Sequence, residues 1–218
     1  MIKKMGVLLI IFAAALYIIK RKDMTWRQSI LRVGYPLLTL KEKWFPSQQN
    51  RLENKLSKQP AVSFFSLKAN RNDGTELVFT ELQGKMVLIV NTASNCGFTA
   101  QYEELEKLHQ LHKDLTILAF PANDFKQQEK GSDTDIANFC RVNYGVSFPL
   151  MAKTSVVKGS AQHPVFQWLS DATKNGWCNK APVWNFSKYV INKEGVLTHF
   201  FSPQVSPLSD EVVRAIQE

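Results

Sequence analysis

A chain of 218 residues, 44% of them hydrophobic, is long enough for one domain of ordinary size plus an extension. Its formal charge of +8 is unevenly placed: residues 1–60 hold twelve Lys/Arg against three Asp/Glu, and residues 61–218 hold fifteen against sixteen. A nearly neutral body argues against a nucleic-acid-binding domain, whose footprint would be a basic face on the folded part. A basic arm suits a surface of anionic lipid instead. Three cysteines, Cys96, Cys140 and Cys178, are too few and too scattered for a secreted disulfide scaffold or a zinc site.

The first element is MIKKMGVLLIIFAAALYIIKRK, in which fifteen uncharged residues from Met5 to Ile19 stand between Lys3-Lys4 and Lys20-Arg21-Lys22. Fifteen is short of the roughly 20 that span a bilayer, although snorkelling lysines at both ends extend the reach. A signal peptide could end at Ala13-Ala14-Ala15, but the apolar run continues through Leu16–Ile19. The expectation is an uncleaved membrane anchor over residues 1–22, with a cleaved signal as the alternative. Lys20, Arg21, Lys22, Arg27 and Arg32 outnumber Lys3 and Lys4, so the positive-inside tendency favours a cytoplasmic body, the periplasmic or secreted side being the alternative. Residues 23–60 read as a basic, partly helical juxtamembrane linker. Trp26, Tyr35 and Trp44 there are either interfacial anchors or residues packed on the domain.

The pattern becomes globular over 61–218. MVLIVNT (86–92) and LTILAF (115–120) have strand length and the continuous apolar character of buried parallel strands. Between them Tyr102, Leu105, Leu108 and Leu111 recur on one helical face, which makes a strand–helix–strand unit. GSDTDIANFC starts a helix capped by Ser132 or Asp133, with Ile136 and Phe139 inward. YVINKEGVLTHFF (189–201) reads as two strands joined by a turn over Asn192–Gly195, and SDEVVRAIQE as a last helix capped by Ser209. Alternation of this kind makes an α/β sheet covered by helices on both sides.

Cys96 falls in the turn between a buried strand and the helix after it, where unpaired N–H groups and the positive end of the helix would stabilise a thiolate. A free thiol is only about 3% ionised at pH 7, so a lowered pKa is what such a position would supply. Gly97 keeps the approach open, and Asn95 could donate to the sulfur. A buried cap-region cysteine of no consequence is the plainer reading. Cys96-Gly97-Phe98-Thr99 lacks the second thiol of a Cys-x-x-Cys oxidoreductase. A cysteine hydrolase needs a base; His109 and His112 lie on the polar helical face, and His163 and His199 stand in no suggestive setting. A thiolate that acts without histidine suits a peroxide, because it can displace the O–O bond directly and become a sulfenic acid.

NTASNCGFTAQYEELEKL, FPANDFKQQEKGSD, NFCRVNYGVSFP and WNFSKYVI, in this order, strongly resemble the glutathione peroxidase family in its cysteine-containing form. The resemblance runs from about Val62 to the C-terminus. It implies a thioredoxin-like fold, with a central mixed sheet flanked by helices, and reduction of hydrogen peroxide and organic or lipid hydroperoxides. Carried over by position, Cys96 would be the peroxidatic residue and Gln128, Trp184 and Asn185 its partners. Neutral amide and indole donors solvate a thiolate without neutralising it, and stabilise the hydroxide or alkoxide that leaves. Cys140 would be the resolving cysteine of the thioredoxin-regenerated members, forming a disulfide with Cys96. Its plain reading is a buried core thiol on the face of Ile136 and Phe139, and two residues in separate elements would need local unfolding to meet. Cys178 has no matching role.

Two motifs depart from the family. Ala122-Asn123-Asp124 replaces Cys-Asn-Gln, and Gln128-Glu129-Lys130-Gly131 replaces QEPG. Asp124 would oppose a thiolate if it pointed inward, and an outward orientation is expected. A short segment before WNF favours a monomer over the tetrameric relatives. The expectation is a membrane-anchored thiol peroxidase that needs no cofactor or metal, with thioredoxin, or else glutathione, as reductant. The alternatives are a peroxide sensor that passes its disulfide to a partner protein, a one-cysteine glutathione-dependent peroxidase and a non-catalytic binding module.

Overall fold

The computed structural model describes residues 24–45 and 47–217. The apolar segment read as an anchor over residues 1–22 lies outside the described residues. Among the described residues no helix is long and apolar enough to cross a membrane.

Five strands form the central sheet. β1 (Arg51–Glu53), β4 (Met86–Thr92), β5 (Leu115–Pro121), β6 (Lys188–Ile191) and β7 (Leu197–Phe201) lie in the order β1-β7-β6-β4-β5. Only β4 and β5 run parallel, and the other three pairings are antiparallel, so the sheet is mixed as expected. The parallel pair needs a crossover, which α2 (Gln101–Leu111) supplies. A separate hairpin of β2 (Lys68–Asn70) and β3 (Glu76–Val78) precedes β4. β1 arises within the segment expected to be linker, so the sheet begins upstream of the boundary placed at residue 61.

β4 is buried at every position, yet its side chains divide by the period of two that a strand imposes. Met86, Leu88 and Val90 enter one core, together with Tyr102, Leu105 and Leu108 of α2 and Ile136 and Cys140 of α3 (Asp133–Tyr144). Val212 and Ala215 of α6 (Asp210–Ala215) close that side. Val87 and Ile89 enter the other core, beneath Val165, Phe166, Trp168 and Leu169 of α4 (Pro164–Leu169), which α5 (Ala172–Asn175) follows. Ser132 caps α3 in a reciprocal box with Asp135, and Gly145 ends that helix in the left-handed region at φ 66°. Ser209 caps α6, also as expected.

Residues 26–44 form one helix, α1 (Trp26–Trp44). Tyr35 is buried, edge-on to Phe98 with ring centroids 6.4 Å apart, and its hydroxyl donates to Glu104 at 2.8 Å. It is therefore a residue packed on the domain, whereas Trp26 and Trp44 are 50% and 70% exposed. Arg32 pairs with Glu103 of α2 at 2.9 Å.

Candidate active site

Three loops meet at the C-terminal ends of β4 and β5 and the start of β6. After Thr92 the chain makes a series of turns before α2 begins at Gln101, and Cys96 sits inside them. Thr99 fixes the loop: its hydroxyl receives the Cys96 N–H at 3.0 Å and reaches the Ala93 and Cys96 carbonyls at 2.8 Å each. The second loop, after β5, passes through Lys126 and Gln127, both left-handed at φ 52°. Its Gln128 carbonyl receives the Asn95 N–H at 3.1 Å, which ties it to the Cys96 loop. The third loop carries Trp184 and Asn185. Asn91 at the end of β4 holds it, donating to the Trp184 carbonyl at 3.1 Å and accepting the Ser187 N–H at 3.1 Å.

These loops bring Cys96, Gln128, Trp184 and Asn185 together. The Asn185 carboxamide donates to Gln128 Oε1 at 3.0 Å, and the Phe98 N–H points at Cys96 Sγ at 3.5 Å. Cys96 is 1% exposed, and burial pushes its thiol pKa up. The Phe98 N–H, the Trp184 indole, the Asn185 carboxamide and the Gly97 N–H all pull the other way. The lowered pKa expected from the helix end is thus replaced by a contest between burial and four donors. The reason is distance along the chain: α2 starts five residues later, and the donors come from the loops. Asn95 is not among them. Gly97 does not hold the approach open either, because a Cβ there would lie 2.9 Å from Leu38 Cδ1 of α1.

Phe186 has φ 70°, which is strained for a bulky aromatic residue, and it follows Trp184 and Asn185 directly in the chain. Lys188 supports this turn. Its ammonium is fully buried, donating to the Phe186 carbonyl at 2.7 Å and to Gln101 Oε1 at 2.9 Å, and burial brings its pKa down to about 7. Trp184 lies against Phe125 at 5.4 Å, and the Lys126 ammonium stands 5.7 Å from its indole ring. Sequence reasoning passed over Lys188, Gln101 and Phe125. A lysine inside the apolar strand KYVI was the one signal on offer.

Cys140 is fully buried in α3, in the same core as Cys96. Burial pushes its thiol up to about 12, the nearby Glu129 charge adds to the rise, and Tyr102 alone opposes it. Glu129 itself is 2% exposed and accepts from the Ser94 N–H at 2.8 Å and the Ser94 hydroxyl at 3.0 Å. Its carboxyl is pushed up to about 7 by burial, against the Ser94 hydrogen bonds and Lys153. A cleft of about 350 Å³ runs beside it, bounded by Gln28, Asn95, Gln128 and Phe139. All three cysteines are free thiols. Asp124 turns away from Cys96, accepting from Ser155 at 2.9 Å and Val156 at 2.8 Å. The histidines are engaged elsewhere: His109 meets the Phe148 ring, His112 ends α2, His163 caps α4 and His199 stacks on Phe201.

Comparison with known proteins bears on the same region. The family model described as glutathione peroxidase matches residues 64–170. The glutathione peroxidase homolog BsaA of Staphylococcus epidermidis is 44% identical over 147 residues, covering 66% of this chain and 92% of that protein. The glutathione peroxidase-like peroxiredoxin HYR1 of Saccharomyces cerevisiae is 42% identical over 160 residues, covering 71% and 97%. Among solved structures, the crystal structure of Trgpx in apo form is 34% identical with a TM-score of 0.56, covering 72% of this chain and 97% of that one. A DsbF homologue from Corynebacterium diphtheriae has the same TM-score at 12% identity and covers 79% and 94%, a likeness of thioredoxin-like fold alone. The chain belongs to the glutathione peroxidase family and is a thiol peroxidase.

Proposed function

We propose that Cys96 is the peroxidatic residue, held among Gln128, Trp184 and Asn185, and that Cys140 resolves it. The observation that carries this reading is the meeting of three loops at one buried sulfur: the Phe98 N–H lies 3.5 Å from Cys96 Sγ, the Asn95 N–H ties the Cys96 loop to the Gln128 carbonyl, and Asn185 donates to the Gln128 side chain. The Cys96 thiolate attacks one peroxide oxygen; an S–O bond forms, the O–O bond breaks, and the alkoxide or hydroxide leaves as alcohol or water after taking a proton. The Asn185 amide and Trp184 indole stabilise first the thiolate and then the charge that moves onto the leaving oxygen. Gln128, which accepts from Asn185, fixes that amide's orientation. The Cys140 thiolate then attacks the sulfenic sulfur; an S–S bond forms, the S–O bond breaks, the hydroxide leaves as water after taking a proton, and a thioredoxin dithiol reduces the disulfide.

Cys140 starts fully buried within α3. Opening of that helix accompanies resolution, and exposure returns the thiol towards its ordinary pKa. In this reading the protein acts as a monomer, and residues 1–22 anchor it beside lipid hydroperoxides with the domain on the cytoplasmic side.

The test is peroxide-dependent turnover of the full chain with thioredoxin and its reductase, then with glutathione, for wild type and Cys140→Ser. Thioredoxin turnover that vanishes in Cys140→Ser supports the two-cysteine cycle. Glutathione turnover that survives the substitution makes Cys140 a core residue and this a one-cysteine enzyme.

A further inference from the structure

α1 has two faces of opposite destination. One turns to the domain: Gln28 donates to the Ser94 carbonyl at 3.0 Å, Arg27 to the Asn95 carbonyl at 3.4 Å, and Tyr35 packs on Phe98. The other carries Ile30, Val33, Leu37, Leu40 and Trp44, which are 53%, 38%, 74%, 47% and 70% exposed. Their spacing alternates three and four residues, so they form a single stripe along a helix of 19 residues, about 28 Å long. Trp26, half exposed, extends the same row, and Phe45 just beyond the helix is 75% exposed. The domain covers the Tyr35 face and leaves this stripe in solvent.

We propose that the outward stripe of α1 is a lipid-docking surface that lays the helix on an anionic bilayer, with the Cys96 loop directly beneath it. Three observations choose lipid over a second copy of the chain. The stripe follows within a few residues of Lys20-Arg21-Lys22 and the apolar run Met5–Ile19. Residues 1–60 carry twelve basic against three acidic residues, and the single acidic residue of α1, Glu42, is turned to Arg51 at 2.7 Å. Arg32 is held by Glu103, but two such helices side by side would still bring the exposed Arg27 and Lys43 together with no free acidic residue of α1 to meet them, whereas anionic headgroups complement them. Tryptophan stands at both ends of the stripe, the residue that favours the membrane–water boundary.

The consequence deepens the proposed function and rests on it: α1 lies on Ser94, Asn95, Gly97 and Phe98. Docking would hold the Cys96 loop one helix diameter, about 10 Å, from the headgroups. Substrates carried by the bilayer, such as phospholipid hydroperoxides, would then gain over soluble peroxide.

The experiment uses the full chain, wild type and Leu37→Glu/Leu40→Glu, with vesicles of phosphatidylcholine alone or mixed with phosphatidylglycerol. Quenching of tryptophan emission by brominated acyl chains reads docking without turnover; Trp44→Phe identifies the reporter. Wild type should be quenched on the anionic vesicles, the double variant should lose most of that signal, and Trp44→Phe should lose the share that Trp26 does not carry. Turnover of phospholipid hydroperoxide in those vesicles should fall about tenfold in Leu37→Glu/Leu40→Glu, with hydrogen peroxide turnover unchanged. Quenching and vesicle turnover that the double variant leaves intact would overturn the proposal. So would a wild-type dimer in ultracentrifugation that the double variant dissociates, since the stripe would then face a second copy. A chain that turns over neither peroxide yet is quenched would overturn the functional reading and leave the docking surface standing.

Discussion

Cys96 and Cys140 lie in one hydrophobic core and are almost equally hidden, at 1% and 0% exposure, yet their surroundings differ in kind. Cys96 lies in a loop, where the backbone N–H groups of Gly97 and Phe98 are not spent on a helix, and those groups together with the Trp184 indole and the Asn185 carboxamide favour its ionisation against burial. Cys140 lies within α3, where the helix consumes its own backbone donors, and of the side chains around it only Tyr102 favours ionisation. Burial pushes both thiols up; donors decide which one is poised to react. In the proposed cycle the folded state serves the first chemical step and shields the second thiol until α3 opens.

The widest gap between the two sites should appear on removing each sulfur. Cys96→Ser should lower peroxide consumption by at least about a thousandfold, as loss of a nucleophile does. Cys140→Ser should leave the first oxidation of Cys96 within about twofold in stopped flow and stop only the thioredoxin-linked cycle. Next, Asn185→Leu should slow Cys96 oxidation by about a hundredfold, the scale of one charge-stabilising donor. Alkylation of Cys96 by iodoacetamide should then need a higher pH, while Cys140 in a urea-opened sample should not change.

Lys188→Met tests the support of the Phe186 turn. The folded-state pKa of Lys188, about 7, lies below its ordinary value, so the unfolded chain holds more protons between about pH 7 and pH 10. Wild-type stability should rise with pH across that window, and the rise should shrink in Lys188→Met. The same variant should shift the pH profile of Cys96 oxidation if the turn aims Asn185, which a merely structural lysine would not do.

Glu129→Gln acts on the Cys140 side, near Tyr102 and Cys140 and against Lys153. Glu129 is held at about 7, above the ordinary carboxylate range, so its ionisation costs the folded state nothing below about pH 4 and the full penalty above about pH 7. The variant should gain on wild type by up to about 3 kcal/mol between pH 4 and pH 8 in urea melts. Smallest of all, Ser132→Ala should cost about 1 kcal/mol, because it removes the cap of α3. It should also speed disulfide formation if opening of α3 limits resolution.

Much of the framework was legible because its signals are local. The continuous apolar runs of β4 and β5, the recurrence of Tyr102, Leu105 and Leu108 in α2 and the caps Ser132 and Ser209 each report on a few neighbours in sequence, whereas Leu111, expected on the same face, is 73% exposed at the end of the helix. Cys96 was findable from its place between strand and helix, and its three partners only by resemblance, since Gln128, Trp184 and Asn185 reach it from loops distant in sequence. What failed was tertiary. The pKa of Cys96 depends on burial, which no turn signal reveals, and the role of Gly97 depends on Leu38, which approaches from α1. The partnership of Lys188 with Phe186 and Gln101 spans 87 residues in its longer bond and leaves no periodic trace. Tyr35 and Trp44 look alike as aromatics in a basic segment, and only the packed helix separates the buried one from the exposed one.

In the proposed cycle peroxide oxidises Cys96 first and Cys140 answers it. The most direct measurement is peptide mass spectrometry after one equivalent of hydrogen peroxide, with dimedone present to trap sulfenic acid. A dimedone adduct should form on Cys96 in Cys140→Ser, and a Cys96–Cys140 disulfide in wild type. An adduct on Cys178 or Cys140 in place of Cys96, or an unmodified Cys96 in both proteins, would contradict it.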